Sequence, residues 1–306
     1  MSTEGSTKAI LAALAANAGI AVAKFVGFLI TGSSSMLAEA VHSVADTSNQ
    51  GLLLFGQRQA RKEATSLHQF GYGRSRYFYS FVVALVLFSL GAIFALYEGY
   101  HKISHPQQLT SPLVAVVILV VAIGLETFSF RTAMVESRPL KGRSSWWQFI
   151  RRSRNPELPV VLLEDTGALL GLIFALGGVG LTILTDDPIW DGVGTMLIGA
   201  LLGVIAVILM VEMHSLLIGE GATVDECNAI QAALEQTEHV DRVIHLRTQY
   251  LGPEEMLVAA KIALGADTDL VTVAATIDNA EAAVRAKVPA AKVIYLEPDL
   301  DRALRQ

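Results

Sequence analysis

The sequence predicts two folds in one chain: an all-α membrane domain of six transmembrane helices, followed by a smaller α+β domain. Three observations lead to this prediction. The 306 residues are 52% hydrophobic and only 17% charged, whereas soluble domains carry about 25% charged residues. Six apolar stretches are long enough to cross a bilayer, which takes about 20 residues. From about Glu220 onward, short alternating elements replace these stretches.

The membrane domain is predicted over residues 1–218. Its candidate spans are residues 8–30, 36–57, 78–100, 112–134, 158–184 and 189–217. Two of them contain runs of 20 residues without a charge, Phe78–Tyr97 and Gly192–Val211, which is typical of membrane helices and not of helices buried in a soluble core. The first residues, Met1–Ser6, are polar and lead into no clear cleavage site, so we interpret the first span as a retained helix.

The distribution of Lys and Arg predicts the orientation of the spans, because positively charged loops stay on the cytoplasmic side. The connections after spans two and four are basic, with Arg58, Arg61, Lys62, Arg74 and Arg76 in the first and Arg138, Lys141, Arg143, Arg151, Arg152 and Arg154 in the second. In the other connections Lys102 is the only Lys or Arg, and the remaining residues are uncharged or acidic. We therefore expect a multi-pass protein of the inner (plasma) membrane with both termini in the cytoplasm.

The second domain is predicted over residues 219–306 and has the element order αββαβ. Its elements are a helix at 224–236, strands at 242–250 and 255–264, a helix at 269–287 and a strand at 292–297. Asp225 and the pair Asp267 and Asp269 stand where helix N-caps are expected. A small antiparallel sheet with both helices on one face, a ferredoxin-like arrangement, is the economical fold for this order.

Two polar residues in the second span form a candidate metal site. His42 and Asp46 are four residues apart, so their side chains lie on the same helical face, which Glu39 shares. An imidazole nitrogen and a carboxylate oxygen can bind the same divalent ion. An ionisable side chain at the middle of a bilayer costs about 2.5–3.5 kcal/mol, so each such residue is expected to have a partner or a function.

The fifth span supplies complementary acids, Glu164 and Asp165. Adjacent residues of a helix point about 100° apart, so we expect only one of the two to face the second span. The alternative for either acid is a structural carboxylate, protonated or ion-paired. Lys24 in the first span and Glu126 in the fourth are further charges, and we expect them to pair with each other or with Glu39.

Two motifs carry a resemblance to a known family. Residues 31–50, TGSSSMLAEAVHSVADTSNQ, and residues 68–74, HQFGYGR, resemble the signatures of the cation diffusion facilitator family of divalent metal transporters. The segment WQFIRRSRNP at residues 147–156, followed by LLEDT at 162–166, is similar to the branch that includes the animal mitochondrial zinc transporter. The resemblance implies six spans, cytoplasmic termini and a cytoplasmic αββαβ domain through which two protomers associate as a homodimer.

The resemblance also implies a central site with two ligands from the second span and two from the fifth. By position these are His42 and Asp46, then Val161 and Asp165. Val161 cannot bind a metal ion, so the expected site is a His-Asp-Asp core, with Glu164 as a candidate fourth ligand. The family's accessory sites are not matched in full. In the cytoplasmic domain Lys261, Tyr295 and Glu297 stand where some members place two His and an Asp, and we predict no metal cluster there.

The predicted function is transport of a divalent cation across the lipid bilayer, zinc foremost, by exchange for protons and out of the cytoplasm. Metal ligands must be deprotonated to bind, which gives such an exchange a physical basis. Manganese or another divalent ion is one alternative, because an oxygen-rich site also suits harder ions. A non-transporting metal sensor or scaffold is another. A membrane-embedded zinc hydrolase is a third, but no further catalytic constellation supports it. We expect no enzymatic activity, no resident cofactor and no nucleic-acid partner.

Overall fold

The computed structural model describes residues 18–300, which form two compact units. The first unit comprises the described residues up to Gln57 together with Phe78–Met213. The second comprises Arg58–Tyr77 and the described residues from His214 onward. The part of the first predicted span before residue 18, the segment Met1–Ser6 and the last six residues of the predicted second domain lie outside the described residues.

The first unit is built from helices. In chain order these are α1, Ala18–Thr31; α2, Ser34–Ala60; α3, Ser75–Ser104; α4, Pro112–Lys141; α5, Trp146–Arg152; α6, Glu157–Thr185; and α7, Ile189–Ile218. Helix α5 lies in the basic connection after the fourth predicted span, where the sequence predicts no helix. It begins with a capping box in which Ser145 and Gln148 satisfy each other's backbone N–H groups, and this pairing explains why a short helix forms there.

Within the described residues, four helices are long and apolar enough to cross a membrane: α3, α6, α7 and the Pro112–Pro139 part of α4. Helix α1 has 14 described residues. Helix α2 has the length, with 27 residues, but its many polar side chains lower its hydropathy. The structure therefore shows a membrane domain of apolar helices, and the count of six spans stays a prediction.

The start of α2 is fixed by Asp191, in the first turn of α7. The buried Asp191 carboxylate accepts hydrogen bonds from the Ser33 hydroxyl and from the Ser34 backbone N–H, both at 2.7 Å. The first N–H groups of a helix have no partner within the helix, and a carboxylate there complements the helix dipole. Because Asp191 sets where α2 begins, it also sets the height of His42 and Asp46 along that helix.

The second unit contains the elements that follow α7. These are α8, Val224–Glu235; β1, Val240–Gly252; β2, Glu255–Leu264; α9, Leu270–Lys287; and β3, Ala291–Asp299. Alternating β2 residues, Met256, Val258 and Ile262, are buried with Leu234 of α8 and Val284 of α9. Both helices therefore cover one face of the sheet, as the period of two in β2 requires.

The prediction of an antiparallel sheet is wrong for its third strand. The strand order is β1-β2-β3, with β1 antiparallel to β2 and β2 parallel to β3. The parallel pair follows from the connection between them, because a crossover through a helix such as α9 returns the chain to the end of the sheet where β2 began. The sheet is therefore mixed.

The helix caps of the second unit differ in part from the prediction. Asp269 is the N-cap of α9, as expected, and accepts hydrogen bonds from the backbone N–H groups of Val271 and Thr272. The hydrogen bond from the Thr272 backbone holds the pKa of Asp269 below its usual value. Asp225 is not the N-cap of α8. Thr223 takes that place in a capping box with Glu226, because a hydroxyl followed three residues later by a carboxylate satisfies two orphan donors at once.

Candidate metal site

The pair His42 and Asp46 lies near the middle of α2. The Nε2 atom of His42 is 3.6 Å from the Oδ2 atom of Asp46, as expected from their spacing of one turn. The His42 side chain is fully buried, and neither of its ring nitrogens has a hydrogen-bond partner among the described residues. A buried imidazole without a partner is costly, so the position favours a ligand for these nitrogens.

Asp46 opens onto a small cavity between four helices. The cavity has a volume of about 30 Å³, whereas a single buried water molecule needs about 10–15 Å³. Its lining residues come from α1, α2, α4 and α6: Ile20, Ser43, Asp46, Gln50, Glu126, Ser129, Val161, Glu164 and Asp165. Four of the nine are carboxylic acids. This space is large enough for a dehydrated ion.

Glu164 and Asp165 both line the cavity, but among the described residues only Glu164 has a hydrogen bond to the second span, in line with the expectation that one of the two faces it. The two acids reach it from different sides. Glu164 is buried and accepts a hydrogen bond from the Asn49 side-chain amide of α2. Asp165 accepts one from the Ser129 hydroxyl of α4, at 3.3 Å. Because the cavity lies where α2, α4 and α6 meet, two side chains about 100° apart on α6 can both border it.

Lys24 of α1 pairs with Glu39 of α2, which confirms one of the two pairings expected for it. The Lys24 Nζ atom is 3.1 Å from Glu39 Oε2 and donates a second hydrogen bond to the Ser43 hydroxyl at 2.9 Å. Lys24 and Glu39 are both buried. This ion pair compensates the Glu39 charge inside the helical unit and leaves the cavity acids without a lysine bound to them.

The predicted metal ligands surround the cavity without forming a closed coordination shell. Asp46, Glu164 and Asp165 border it directly, whereas His42 reaches it through its contact with Asp46. Among residues 18–300, no three His, Cys, Asp or Glu side chains come close enough together to hold a metal ion. The ligand set therefore stays a prediction, and binding would require these side chains to close around an ion.

A distinctive helix segment lies beside His42. Residues Leu87–Ile93 of α3 form a π-helix, a conformation that occurs mostly as short insertions in α-helices and often at functional sites. Gly91 in this segment faces the imidazole, since a Cβ atom built on it would lie 4.0 Å from His42 Nδ1. The widened turn thus brings the α3 backbone against the histidine.

Three polar residues of the site are not predicted from the sequence to belong to it, and one of them, Glu126, is expected there only as a partner of Lys24 or Glu39. Asn49 lies one turn beyond the His42 and Asp46 pair and holds Glu164. Glu126 and Ser129, three residues apart on α4, present the same helical face to the cavity. The i, i+3 spacing of these last two in an otherwise apolar helix is the signal that could have identified them. Their partners lie on other helices, which the spacing does not reveal.

The sheet of the second unit contains a different arrangement of charges. Lys261 of β2 is 2.8 Å from Glu297 Oε1 and 3.0 Å from Asp299 Oδ2, both on β3. The hydrogen bonds to Glu297 and Asp299 hold the pKa of the Lys261 ammonium above its usual value. These two acids therefore have a permanent cation, supplied by the chain itself.

Comparison with protein families gives two matches that together cover most of the chain. Residues 10–218 match the profile described as the cation efflux transmembrane domain. Residues 223–299 match that of the cation efflux protein cytoplasmic domain. The junction between the two matches lies at the end of α7.

Several curated proteins are similar in sequence. The mitochondrial proton-coupled zinc antiporter SLC30A9 of Mus musculus is 31% identical over 262 residues, which are 85% of this chain and 46% of the relative. Metal tolerance protein C4 of Arabidopsis thaliana is 28% identical over 84% of this chain and 57% of its own length. The zinc transporter ZitB of Pectobacterium atrosepticum is 29% identical over 70% of this chain and 62% of its own. The chain thus spans about half the length of the mitochondrial relatives.

Proposed function

The chain belongs to the cation efflux family, and from this premise we propose that it transports a divalent metal ion, zinc foremost, in exchange for protons. The proposal is supported above all by the cavity at which α2, α4 and α6 meet. Four carboxylic acids border a volume of about 30 Å³ in the helical unit. Ionised carboxylates that crowd together in a membrane domain repel one another unless a cation lies between them or they are protonated.

Exchange for protons follows from the chemistry of these groups. His42, Asp46 and the two acids of α6 bind a metal ion only when they are deprotonated, so metal loading releases protons and protonation favours metal release. A site that alternates between the two sides of the membrane would then couple a proton gradient to metal movement. The zinc antiporter relative shares 31% of its aligned residues with this chain, which supports the same coupling here.

The finer parts of the proposal concern topology and assembly. We propose that α1 and α2 cross the membrane together with the four apolar helices, which gives six spans. Both termini would lie in the cytoplasm, and the protein would belong to the inner membrane. Two copies would associate as a homodimer through the cytoplasmic domain. Export from the cytoplasm is the proposed direction, because a proton gradient directed into the cytoplasm would drive the metal ion outward by exchange.

A second candidate cargo is manganese. The polar lining of the cavity consists of carboxyl, hydroxyl and amide groups, and it includes no ring nitrogen. Oxygen-rich sites suit harder ions, whereas imidazole nitrogens suit zinc. The choice depends on whether His42 joins the shell when an ion binds.

The test is metal-dependent proton flux in proteoliposomes that contain the purified chain and a pH-sensitive dye. We expect zinc to drive proton flux in the wild type and to drive none in the triple variant His42→Ala, Asp46→Ala, Asp165→Ala. Manganese in parallel assays decides the second candidate. Equal flux in the wild type and the triple variant would refute the site, and no metal-dependent flux in the wild type would refute the transport function.

A further inference from the structure

Glu126 of α4 is not among the metal ligands predicted from the sequence. It borders the same cavity as Asp46, Glu164 and Asp165. One turn further along α4, Ser129 also borders the cavity and donates its hydrogen bond to Asp165. Helix α4 therefore contributes two polar groups to the site from one face.

Pairing with Lys24, one role expected for Glu126, is not what the structure contains. The Lys24 Nζ atom is bound to Glu39 and to Ser43 instead. Among the hydrogen bonds and ion pairs of residues 18–300, none includes Glu126. An acid at mid-helix in a membrane domain is costly, and among the described residues Lys24 acts on Glu126 only as a nearby charge, without a direct ion pair.

One side chain in the wall of the cavity is apolar at a position where a metal ligand is expected. Val161, which borders the cavity, stands one turn before Asp165 on α6. Its side chain offers no atom to a metal ion. Zinc commonly takes four ligands, and a site with fewer protein ligands completes its shell with water or substrate.

We infer that Glu126 is a ligand of the transported metal ion and supplies the carboxylate that the Val161 position lacks. This inference rests on the proposed function of the cavity. It assigns the site to three helices, with His42 and Asp46 from α2, Glu126 from α4, and Glu164 and Asp165 from α6. A carboxylate from α4 also raises the oxygen content of the shell, which biases selectivity towards harder ions such as manganese.

Direct metal binding by the purified full-length protein tests the inference independently of transport. Isothermal titration with Zn²⁺ and with Mn²⁺ should show that Glu126→Gln lowers the affinity for both ions by about 10–100-fold, the range found for groups that support a metal site. The matched control is Glu212→Gln on α7, whose carboxylate pairs with Arg151 and does not border the cavity. It should bind both ions as the wild type does.

A second variant separates a ligand from a residue that only supports the fold. Glu126→His replaces an oxygen ligand by a nitrogen ligand, so it should raise the ratio of zinc affinity to manganese affinity at least several-fold. A purely structural residue would not change this ratio. Neutral glutamine is also easier to place in a membrane than glutamate, so Glu126→Gln is expected to fold.

Different results would overturn the role of Glu126 and the proposed function on which it rests. Wild-type affinity in Glu126→Gln, or an unchanged zinc-to-manganese ratio in Glu126→His, overturns the inference. If Asp46→Asn abolishes binding in the same titrations while Glu126→Gln binds normally, the cavity remains the metal site and only the role of Glu126 fails. If neither ion binds the wild type, the proposed function and the inference both fail.

Discussion

Two groups of carboxylic acids in this molecule are treated in opposite ways. In the second unit, Glu297 and Asp299 face a lysine of the neighbouring strand at 2.8 and 3.0 Å. In the membrane unit, the acids Asp46, Glu126, Glu164 and Asp165 border a cavity, and the nearby lysine, Lys24, is bound to Glu39 instead. The acids of the sheet have a lysine fixed beside them, whereas the acids of the membrane unit border a cavity.

The difference indicates what each group is for. A lysine tethered to the chain cannot leave, so the acids that it compensates serve the stability of the sheet. The acids around the space of about 30 Å³ have no cation bound directly to them among the described residues, so a metal ion or protons from outside can compensate them. Lys24 and Glu39 belong to helices that also line the cavity. The membrane unit therefore contains both an acid compensated by a lysine of the chain and acids that a cation from outside can compensate.

The largest expected effect comes from removing the fixed cation of the membrane unit. Lys24→Met leaves Glu39 buried and unpaired, and removing one partner of a buried ion pair costs about 3–5 kcal/mol. We expect a clear fall in the melting temperature of the detergent-purified protein. The double variant Lys24→Met, Glu39→Gln is the matched control, and it should recover most of the loss because no charge is left unpaired. A single variant that melts like the wild type would show that Glu39 does not need this lysine.

A smaller effect is expected from neutralising one acid of the cavity. Glu164→Gln keeps an oxygen that can accept the hydrogen bond of Asn49, but it removes a charge from the site. We expect the metal concentration for half-maximal proton flux to rise about 10–100-fold, with little change in melting temperature. This result contrasts with Lys24→Met, which affects stability first.

The control for this prediction is Glu98→Gln, a neutralised acid of α3 that accepts a hydrogen bond from the Ser34 hydroxyl and does not border the cavity. Its half-maximal metal concentration should be that of the wild type. Unchanged transport in Glu164→Gln would mean that Glu164 is a structural acid held by Asn49, and that the metal ligands of α6 reduce to Asp165.

The sequence predicted helices and strands well where burial alone decides them. The long apolar stretches predict α3, α6 and α7 to within a few residues. A helix is the structure that satisfies every backbone polar group of such a stretch inside the hydrocarbon. The strand β2 was predicted at residues 255–264 and is observed there, since it alternates buried and half-buried side chains. The parallel direction of β3 follows from the helical crossover through α9, which the residue pattern of the strands does not encode.

Sequence spacing predicts which site residues share a face of one helix, but not which helices meet at the site. The pair His42 and Asp46 follows from a spacing of four residues, and the structure contains that pair. Which helix faces Glu164 or Glu126 depends on the packing of α4 against α6 and α2, which no spacing within one helix encodes. The same holds for Asp191, whose buried carboxylate serves the start of α2 from 157 residues away.

The smallest expected effect concerns the fixed cation of the second unit. Lys261→Met leaves Glu297 and Asp299 without their lysine, but the Glu297 side chain is 65% exposed and partly solvated. Exposed ion pairs contribute little to stability, so we expect a decrease of no more than a few degrees in the melting curve of the full chain followed by circular dichroism. Lys292→Met, which removes an exposed lysine of β3, is the control, and proton flux should be unchanged in both variants.

The pH dependence of this small effect identifies its source. The folded-state pKa of Lys261 is raised above 10.5, so its contribution to stability is fully present below about pH 10.5 and is lost as the pH rises through the folded-state pKa. The difference in melting temperature between the wild type and Lys261→Met should therefore be constant from neutral pH to about pH 10 and should shrink above that. A difference that persists unchanged at higher pH would come from packing of the lysine stem, and the acids of the sheet would then not need a fixed cation.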